Sequence, residues 1–409
     1  MVPEGWSKAS LGDVVNYKKG FAFDSSDYSE NGVRVIRISD TTRDGLHSNN
    51  PKYVAEDRAD GFSDWQLFGG DIIVSTVGSR PHLLDSMVGK AVRIPANFKG
   101  SLLNQNLVKL APKKDRVISE ILYPHLKDNR FITFISGLVR GNANQVSITL
   151  KELFTFPILL PPLPEQQKIA DILSTWDQAI EKTEALLSNA RTQKRALMQQ
   201  LLTGKRRFSA FEGQPWREVR LGDVVSLSKS RLDPRRDHNT RRCIEMEHIE
   251  AETGRLLGST SSDKQASIKA VFGLGDVLFG KLRPYLRKFH APDFEGVCST
   301  EIWVLQPKAD TLLSSYLHGL VQSAGLMTEA EKSAGSKMPR ADWKIVSDYR
   351  FMLPSLAEQE AISKVIDDMG DEIDVLHTSI TKLRTEKKAL MQQLLTGKRR
   401  VMVEDHHAV

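Results

Sequence analysis

The fold class predicted for this chain is mixed α/β (α+β): two globular domains alternating with two long helices that pair as an intramolecular antiparallel coiled coil, with pseudo-two-fold symmetry. Three observations predict it. The string ALMQQLLTGKRR occurs at 196–207 and again at 389–400, a displacement of 389 − 196 = 193 residues that is far beyond the period of a solenoid. Each copy closes a segment whose apolar residues recur in alternating steps of four and three over about five heptads. Each such segment follows short apolar runs bounded by Gly-Asp and other polar turns, the pattern of strands.

Taken in order, each half opens alike: Trp6 precedes LGDVV at 11–15, and Trp216 precedes LGDVV at 221–225, an offset of 210. LFGGDIIVSTVGSR (67–80) then answers VFGLGDVLFGKLR (271–283), and LLNQNLVKLAP answers VCSTEIWVLQP, each expected as strands. The offset settles at 193 where LLPPLPEQQ (159–167) aligns with MLPSLAEQE (352–360). The first three quarters of the halves match loosely and the last quarter tightly. The tight part does one job twice, while the loose part keeps a scaffold and changes its surface.

The tight part is a helix. Pro161, Pro162 and Pro164 start the first copy and Pro354 the second, with acidic and amide residues in the first turn. The seam runs through Ile169, Leu173, Trp176, Ile180, Thr183, Leu187, Ala190, Lys194, Leu197 and Leu201. In the second copy it runs through Ile362, Ile366, Met369, Ile373, Leu376, Ile380, Leu383, Lys387, Leu390 and Leu394. Lys194 and Lys387 interrupt both seams at one level, either as register-setting polar residues or with stems that snorkel out. From Glu165 to Leu202 the helix would run roughly 57 Å at 1.5 Å per residue. Gly204 and Gly397 stop the two helices, with basic residues suited to a helix C-terminus. Pairing with a second chain and pairing within the chain are both open to such helices. With one globular domain before each, internal pairing is the economical packing, and a two-fold axis perpendicular to the rods makes it antiparallel. The expected divisions are a first domain at 1–155, a helix unit at 156–207, a second domain at 208–350, a second helix unit at 351–403 and a tail at 404–409.

At 409 residues, 40% apolar and 26% charged, the chain has the composition of a globular protein with room for two or three cores. No stretch approaches the roughly 18 apolar residues of a membrane span, and MVPEGWSKAS lacks a signal-peptide core, so a cytoplasmic location is expected. Cys243 and Cys298, with no CxxC spacing, point to neither a disulfide framework nor structural zinc. The net charge of +6 leans toward a polyanionic partner. Two diverged recognition domains on a stiff rod make a device for reading two sites at a fixed separation, and one turn of duplex DNA, about 34 to 36 Å, is of the rod's scale.

Two variable regions, each followed by an LP-x-L-x-EQ turn, a long helix and a near-identical repeat ending ALMQQLLTGKRR, resemble the specificity subunit of a type I restriction-modification system, over essentially the whole chain. The resemblance implies two target-recognition domains, each reading one half of a bipartite DNA sequence. It also implies an antiparallel rod that spaces them and docks two modification subunits, which carry an adenine methyltransferase using S-adenosylmethionine. Two restriction subunits, the motor-nuclease, would join for ATP- and Mg-dependent cleavage. No cofactor is expected on this chain. It has no GxxxxGK[ST] loop, no glycine-rich cofactor fingerprint after a strand and no Asn/Asp-Pro-Pro-aromatic motif, so it is expected to be a non-catalytic subunit with no catalytic residue and no metal site. His406 and His407 read as a solvated tail. Two rivals stand beside this reading: methyltransferase or nuclease activity on the same chain, and a scaffold whose domains bind proteins.

Phosphate contacts need Lys and Arg; base reading favours Arg on guanine and Asn or Gln on adenine. In the first domain the candidates are Arg80, after a strand, and Arg140, Asn142, Asn144 and Gln145 in a polar glycine loop ahead of the helix. In the second they are Lys281, Arg283 and Arg287 after the matching strand, and Lys337 and Arg340 in the matching loop. Arg235 and Arg236 stand out in a basic run with Arg231, Arg241 and Arg242, either a phosphate-tracking loop or a solvated one. Asn104, Gln105 and Asn106 read as strand-end hydrogen bonders. The GKRR segments are open to contact with the DNA backbone and to service as helix-end charge plus linker.

Overall fold

The computed structural model describes residues 2–43, 45–139, 145–237, 239–332 and 338–402. They fall into two compact units, residues 1–181 with 381–409, and residues 182–380. Each unit therefore holds one globular domain, the first part of the helix that follows it and the last part of the other helix.

In the first unit, residues Leu11–Val14 make one helical turn. Asp13 caps it by accepting from the backbone N–H (2.8 Å) and hydroxyl (2.7 Å) of Ser10, and these bonds hold its carboxyl below the usual range. Strand Val15–Lys19 is the edge of a four-stranded antiparallel sheet that continues through Leu107–Pro112, Ile72–Ser75 and Ala91–Arg93. Ile72 and Val74 pack into one core with Phe131 and Ile135 of helix Asn129–Leu138; Ile73 packs into a second with Ile36, Val92 and Leu103. A strand buried on both faces reads as an unbroken apolar run, which is the pattern seen there. The Gly-Asp before it is a turn in which Asp71 accepts from the Phe68 N–H at 2.8 Å. The second core is closed by another four-stranded sheet, Tyr28–Ser29, Lys52–Val54, Val33–Ile36 and Leu102–Leu103, whose last pair is parallel.

The second unit repeats this plan. Its four-stranded sheet runs Val225–Leu227, Ile302–Pro307, Val277–Gly280, Phe289–His290. Val277 and Phe279 pack with Tyr316 and Leu317 of helix Ser314–Val321, and Leu278 packs on the other side with Ile244 and Phe272. Asp276 accepts from the Gly273 N–H at 2.8 Å in the matching turn. The other sheet differs: it has five strands, with Arg231–Leu232 as an added edge beside Lys269–Phe272. Cys243 and Cys298, on neighbouring strands of that sheet, are buried free thiols, and burial pushes the Cys243 thiol up to about 12.

The long helices are Leu163–Leu202 and Leu356–Leu395, 40 residues each, or about 60 Å. In the first unit Ile169 and Leu173 share a core with Leu394 and Leu395, so the start of one helix lies against the end of the other. In the second unit Ile362 and Ile366 share a core with Met198, Leu201 and Leu202, the same antiparallel arrangement with the copies exchanged. Of the remaining seam positions, Leu187, Ala190 and Ile380 are buried, and Trp176, Ile180, Thr183, Leu197, Met369, Ile373, Leu376, Leu383 and Leu390 are half-buried. The Lys387 amino group reaches across to Asp177. Lys194 meets Asp367, Asp374 and Asp371, and burial lowers its ammonium against their pull. Beyond the helices Gly204 (φ 69°) and Gly397 (φ 67°) take the left-handed conformation that ends a helix cheaply only at glycine. No helix among the described residues is long and apolar enough to cross a membrane.

Candidate nucleic-acid interface

Each domain is mounted on its helix pair by the same three side chains. In the first unit the carboxylate of Glu165 accepts from the Trp6 indole (3.0 Å) and from two nitrogens of Arg400 (2.7 and 2.8 Å). In the second unit Glu358 accepts from Trp216 (2.8 Å) and from two nitrogens of Arg207 (2.9 and 2.7 Å). Both carboxylates are buried, and each arginine also lies over the indole of its tryptophan. The bidentate fork explains why the last residue of GKRR is arginine, since lysine has no planar pair of donors. The next residue of each EQ pair ties the domain to the same helix start. Gln166 accepts from the Ile118 N–H (3.1 Å) and donates to the carbonyls of Arg116 and Pro161 (2.9 Å each). Gln359 accepts from the Leu313 N–H (2.9 Å) and donates to Thr311 (3.0 Å) and Pro354 (3.1 Å). Of the three basic residues in each GKRR end, the final arginine is therefore committed to protein. Sequence reading had Trp6, Trp216 and both EQ pairs in view and missed that they meet.

In both domains the two candidate stretches come together. In the first, Val77–Ser79 pairs with Gln145–Ser147, placing exposed Gln145 opposite Ser79 and beside half-buried Arg80. In the second, Leu282 bridges Arg340, the Arg283 N–H donates to the Pro339 carbonyl (2.7 Å), and the Ala341 N–H donates to the Lys281 carbonyl (2.8 Å). The last bond has its counterpart in Ile148 to Thr76 at 3.0 Å. Arg140, Asn142, Asn144 and Lys337 lie outside the described residues, as do His406 and His407.

The turn that follows each strand repeats a tetrapeptide, Arg-Pro-x-Leu, at 80–83 and 283–286. In each, the leucine N–H donates to the arginine carbonyl at 2.9 Å and the proline is buried. The internal match was a signal in the sequence that the strand comparison passed over. In the second domain Arg283 (φ 52°) and Arg287 (φ 50°) flank the turn in the left-handed region. Such backbone costs on the order of 1 to 3 kcal/mol per residue and persists only where its surroundings over-determine it. Here they do: the Arg287 guanidinium donates to the Gln322 carbonyl (2.7 Å) and pairs with Glu252 (3.1 Å), bracing the turn from behind, while Arg283 and Tyr285 are exposed.

The other candidates divide. Lys281 is half-buried and Arg340 forks onto Glu301 (3.0 and 3.2 Å). Arg235 forks onto Asp233 (2.9 Å at both oxygens), whereas the Arg236 side chain is 88% exposed and 3.9 Å from the same carboxylate. Arg231 donates to the Ser228 and Ser230 carbonyls, and Arg242 stacks 3.8 Å from the Phe294 ring, both on exposed positions of the five-stranded sheet. Asn104 is buried and donates to the Tyr28 hydroxyl at 3.3 Å. Among the described residues, no three His, Cys, Asp or Glu side chains come together as a metal site.

Two lysines at equivalent places, buried Lys90 and half-buried Lys288, have carbonyls that accept from the backbone N–H groups of Ser75 and Gly280. Lys90 donates to the Thr41 and Asp85 carbonyls and Lys288 to that of Met246. Burial pulls Lys90 down to about 8 and lowers Lys288 in the same sense. His125 on helix Ser119–Lys127 and His318 on helix Ser314–Val321 are 193 residues apart; burial drives both down to about 4, helped by Arg130 at the first and Lys194 at the second.

Residues 3–188 and 213–385 match the family described as the type I restriction modification DNA specificity domain. The MjaX specificity subunit of a type I restriction enzyme of Methanocaldococcus jannaschii is 23% identical over 98% of this chain and 95% of its own length. The EcoBI specificity subunit of Escherichia coli is 30% identical, over 46% of this chain and 35% of its own. Among solved structures, the type I restriction-modification S subunit from M. genitalium covers 98% of this chain with 97% of its own at 15% identity and a TM-score of 0.57. A chain from the structure of type I R-M complex assembly and conformational transition covers 98% with all of its own length at 17% identity and a TM-score of 0.56.

Proposed function

The chain belongs to the type I restriction-modification DNA specificity family, and from that membership we propose that it reads a bipartite DNA site, one half-site per domain, for an enzyme whose chemistry resides on other subunits. Two modification subunits dock on it and supply S-adenosylmethionine-dependent adenine methylation. Restriction subunits, with ATP and Mg, join through them for cleavage, in the cytoplasm. The observation that carries the reading is the repetition of one mount with two different tips: the Trp-Glu-Arg clamp is the same in both units, while the turns and loops beyond Ile72–Ser75 and Val277–Gly280 differ in length and side chains. A duplicated mount with unlike readers suits an asymmetric two-part sequence. The DNA-facing set is Arg80, Gln145, Arg236, Lys281 and Arg283, with Arg140, Asn142, Asn144 and Lys337 beside them in sequence; Arg235, Arg287 and Arg340 support it through their carboxylate and carbonyl partners.

The test is a genome-wide adenine-methylation map of the source organism with and without the gene. Loss of one bipartite motif on deletion supports the reading, and a map that does not change refutes it wherever the partner methyltransferase is expressed. Four residues added to one helix unit at Thr203-Gly204 lengthen the spacer of that motif and leave both half-sites as they were. Changed half-sites with an unchanged spacer would sink the ruler account.

A further inference from the structure

The two Arg-Pro-x-Leu turns differ in the residue they present. At position x the first carries His82 and the second Tyr285; both are exposed, Tyr285 by 51%. An aromatic ring left in water at the apex of a turn built on a buried proline is not there to fill the domain's own core. The backbone around it is fixed: Arg283 is bonded to Pro339, Leu286 to Arg283, Arg287 to Pro284, and the left-handed arginines close both sides. What the two turns share is a planar ring two positions after an arginine, across a buried proline, in the segment that follows the equivalent strands Ile72–Ser75 and Val277–Gly280. A hydroxyl is not shared.

We infer that His82 and Tyr285 are the ring contacts through which each domain touches the base pairs of its own half-site, with Arg80 and Arg283 beside them on the phosphate backbone. The inference rests on the DNA reading proposed above and names residues that reading did not include. Ring faces and wedges act on a base step by stacking or partial unstacking, and the effect is local to that step. Cations two positions away favour a nucleic acid over an apolar protein surface as the occupant. Because the rings differ, the two half-sites are touched by different chemistry: an imidazole with a donor and an acceptor in one, a larger phenol face in the other.

The experiment uses the full chain assembled with its modification subunits, on duplexes carrying the motif that this complex methylates, with 2-aminopurine placed in turn at each step of one half-site. Tyr285→Ala is expected to weaken binding of the motif about tenfold or more. It should flatten discrimination at one half-site only and abolish the 2-aminopurine signal at one step. Tyr285→Phe, which keeps the ring, should retain all three, and His82→Ala should produce the same pattern in the other half-site. Unaltered affinity and motif for Tyr285→Ala overturn the inference, as does equal loss on cognate and random DNA. Loss confined to assembly with the modification subunits also overturns it, because the ring would then be a protein contact. A parent complex that methylates no bipartite motif refutes the DNA reading itself, and is told apart by failing before any substitution is made.

Discussion

The Trp-Glu-Arg clamp and the Arg-Pro-x-Leu turns lie in the same two domains, yet one is copied residue for residue and the other only in outline. The clamp's partners come from opposite copies of the repeat: Glu165 of the first is held by Arg400 of the second, and Glu358 of the second by Arg207 of the first. A change in either copy strips a buried carboxylate of its charge partner, so each copy constrains the other. The turns at 80–83 and 283–286 answer only to their own domain. Their backbone bonds and buried prolines agree, because those set the turn, and everything that points outward is at liberty to differ.

The sharpest way to break this comparison is at the carboxylates. Glu165→Ala and Glu358→Ala should each give the largest loss of stability of any single change considered, read as the denaturant midpoint of the chain in its complex, and the two losses should match. Reversing the charges in Glu165→Arg with Arg400→Glu should recover part of it. Unequal losses would mean that the clamps are alike in geometry and unlike in weight. Next come Ile169→Ala and Ile362→Ala, equivalent residues 0% and 1% exposed where each domain core runs into the helices; each should cost about 3 kcal/mol.

His125 and His318 sharpen the comparison through pH. Their folded values near 4 lie below the roughly 6.5 of an unfolded histidine, so the unfolded state binds more protons between those limits. The stability they permit is complete above about pH 6.5 and is lost as pH falls toward 4, by roughly 2 kcal/mol per histidine at pH 5. Denaturation midpoints at pH 7 and pH 5 measure it, and His125→Gln or His318→Gln should flatten the slope by equal amounts. The most selective effect on function belongs to the turn, in which Arg287 is the brace that carries stability. Replacing Lys281, Arg283 and Arg287 with alanine should alter one half-site of the methylated motif and leave the other intact; equal loss at both would point to misfolding.

Much of the frame was legible because it is written in local signals. The Gly-Asp turns before Ile72–Ser75 and Val277–Gly280, the proline starts of the long helices and their seam periodicity all depend on residues within a few positions of one another. The candidate DNA surface was less legible. Arg235, Arg236 and Arg340 look alike in sequence, yet Arg235 and Arg340 fork onto carboxylates while Arg236 is mostly solvated. Arg231 and Arg242 belong to the same run, and one donates to a loop carbonyl while the other stacks on a ring. A guanidinium's role depends on what lies within about 4 Å, and charge content carries no such information.

By itself the sequence determined that the chain is a duplication, that its tight repeat is helical with one seam, and that strands carry the rest. Identity at a fixed offset and periodicity of 2 or 3.6 residues are properties of the string. Only the tertiary structure decided which copy clamps which, that Glu165 meets a residue 235 positions away, and that the stretches at 79–80 and 145 form one surface, as do those at 281–287 and 339–341. The reason is physical: those contacts join residues far apart in the chain, and their partners are chosen by packing geometry and by the need to satisfy buried charge.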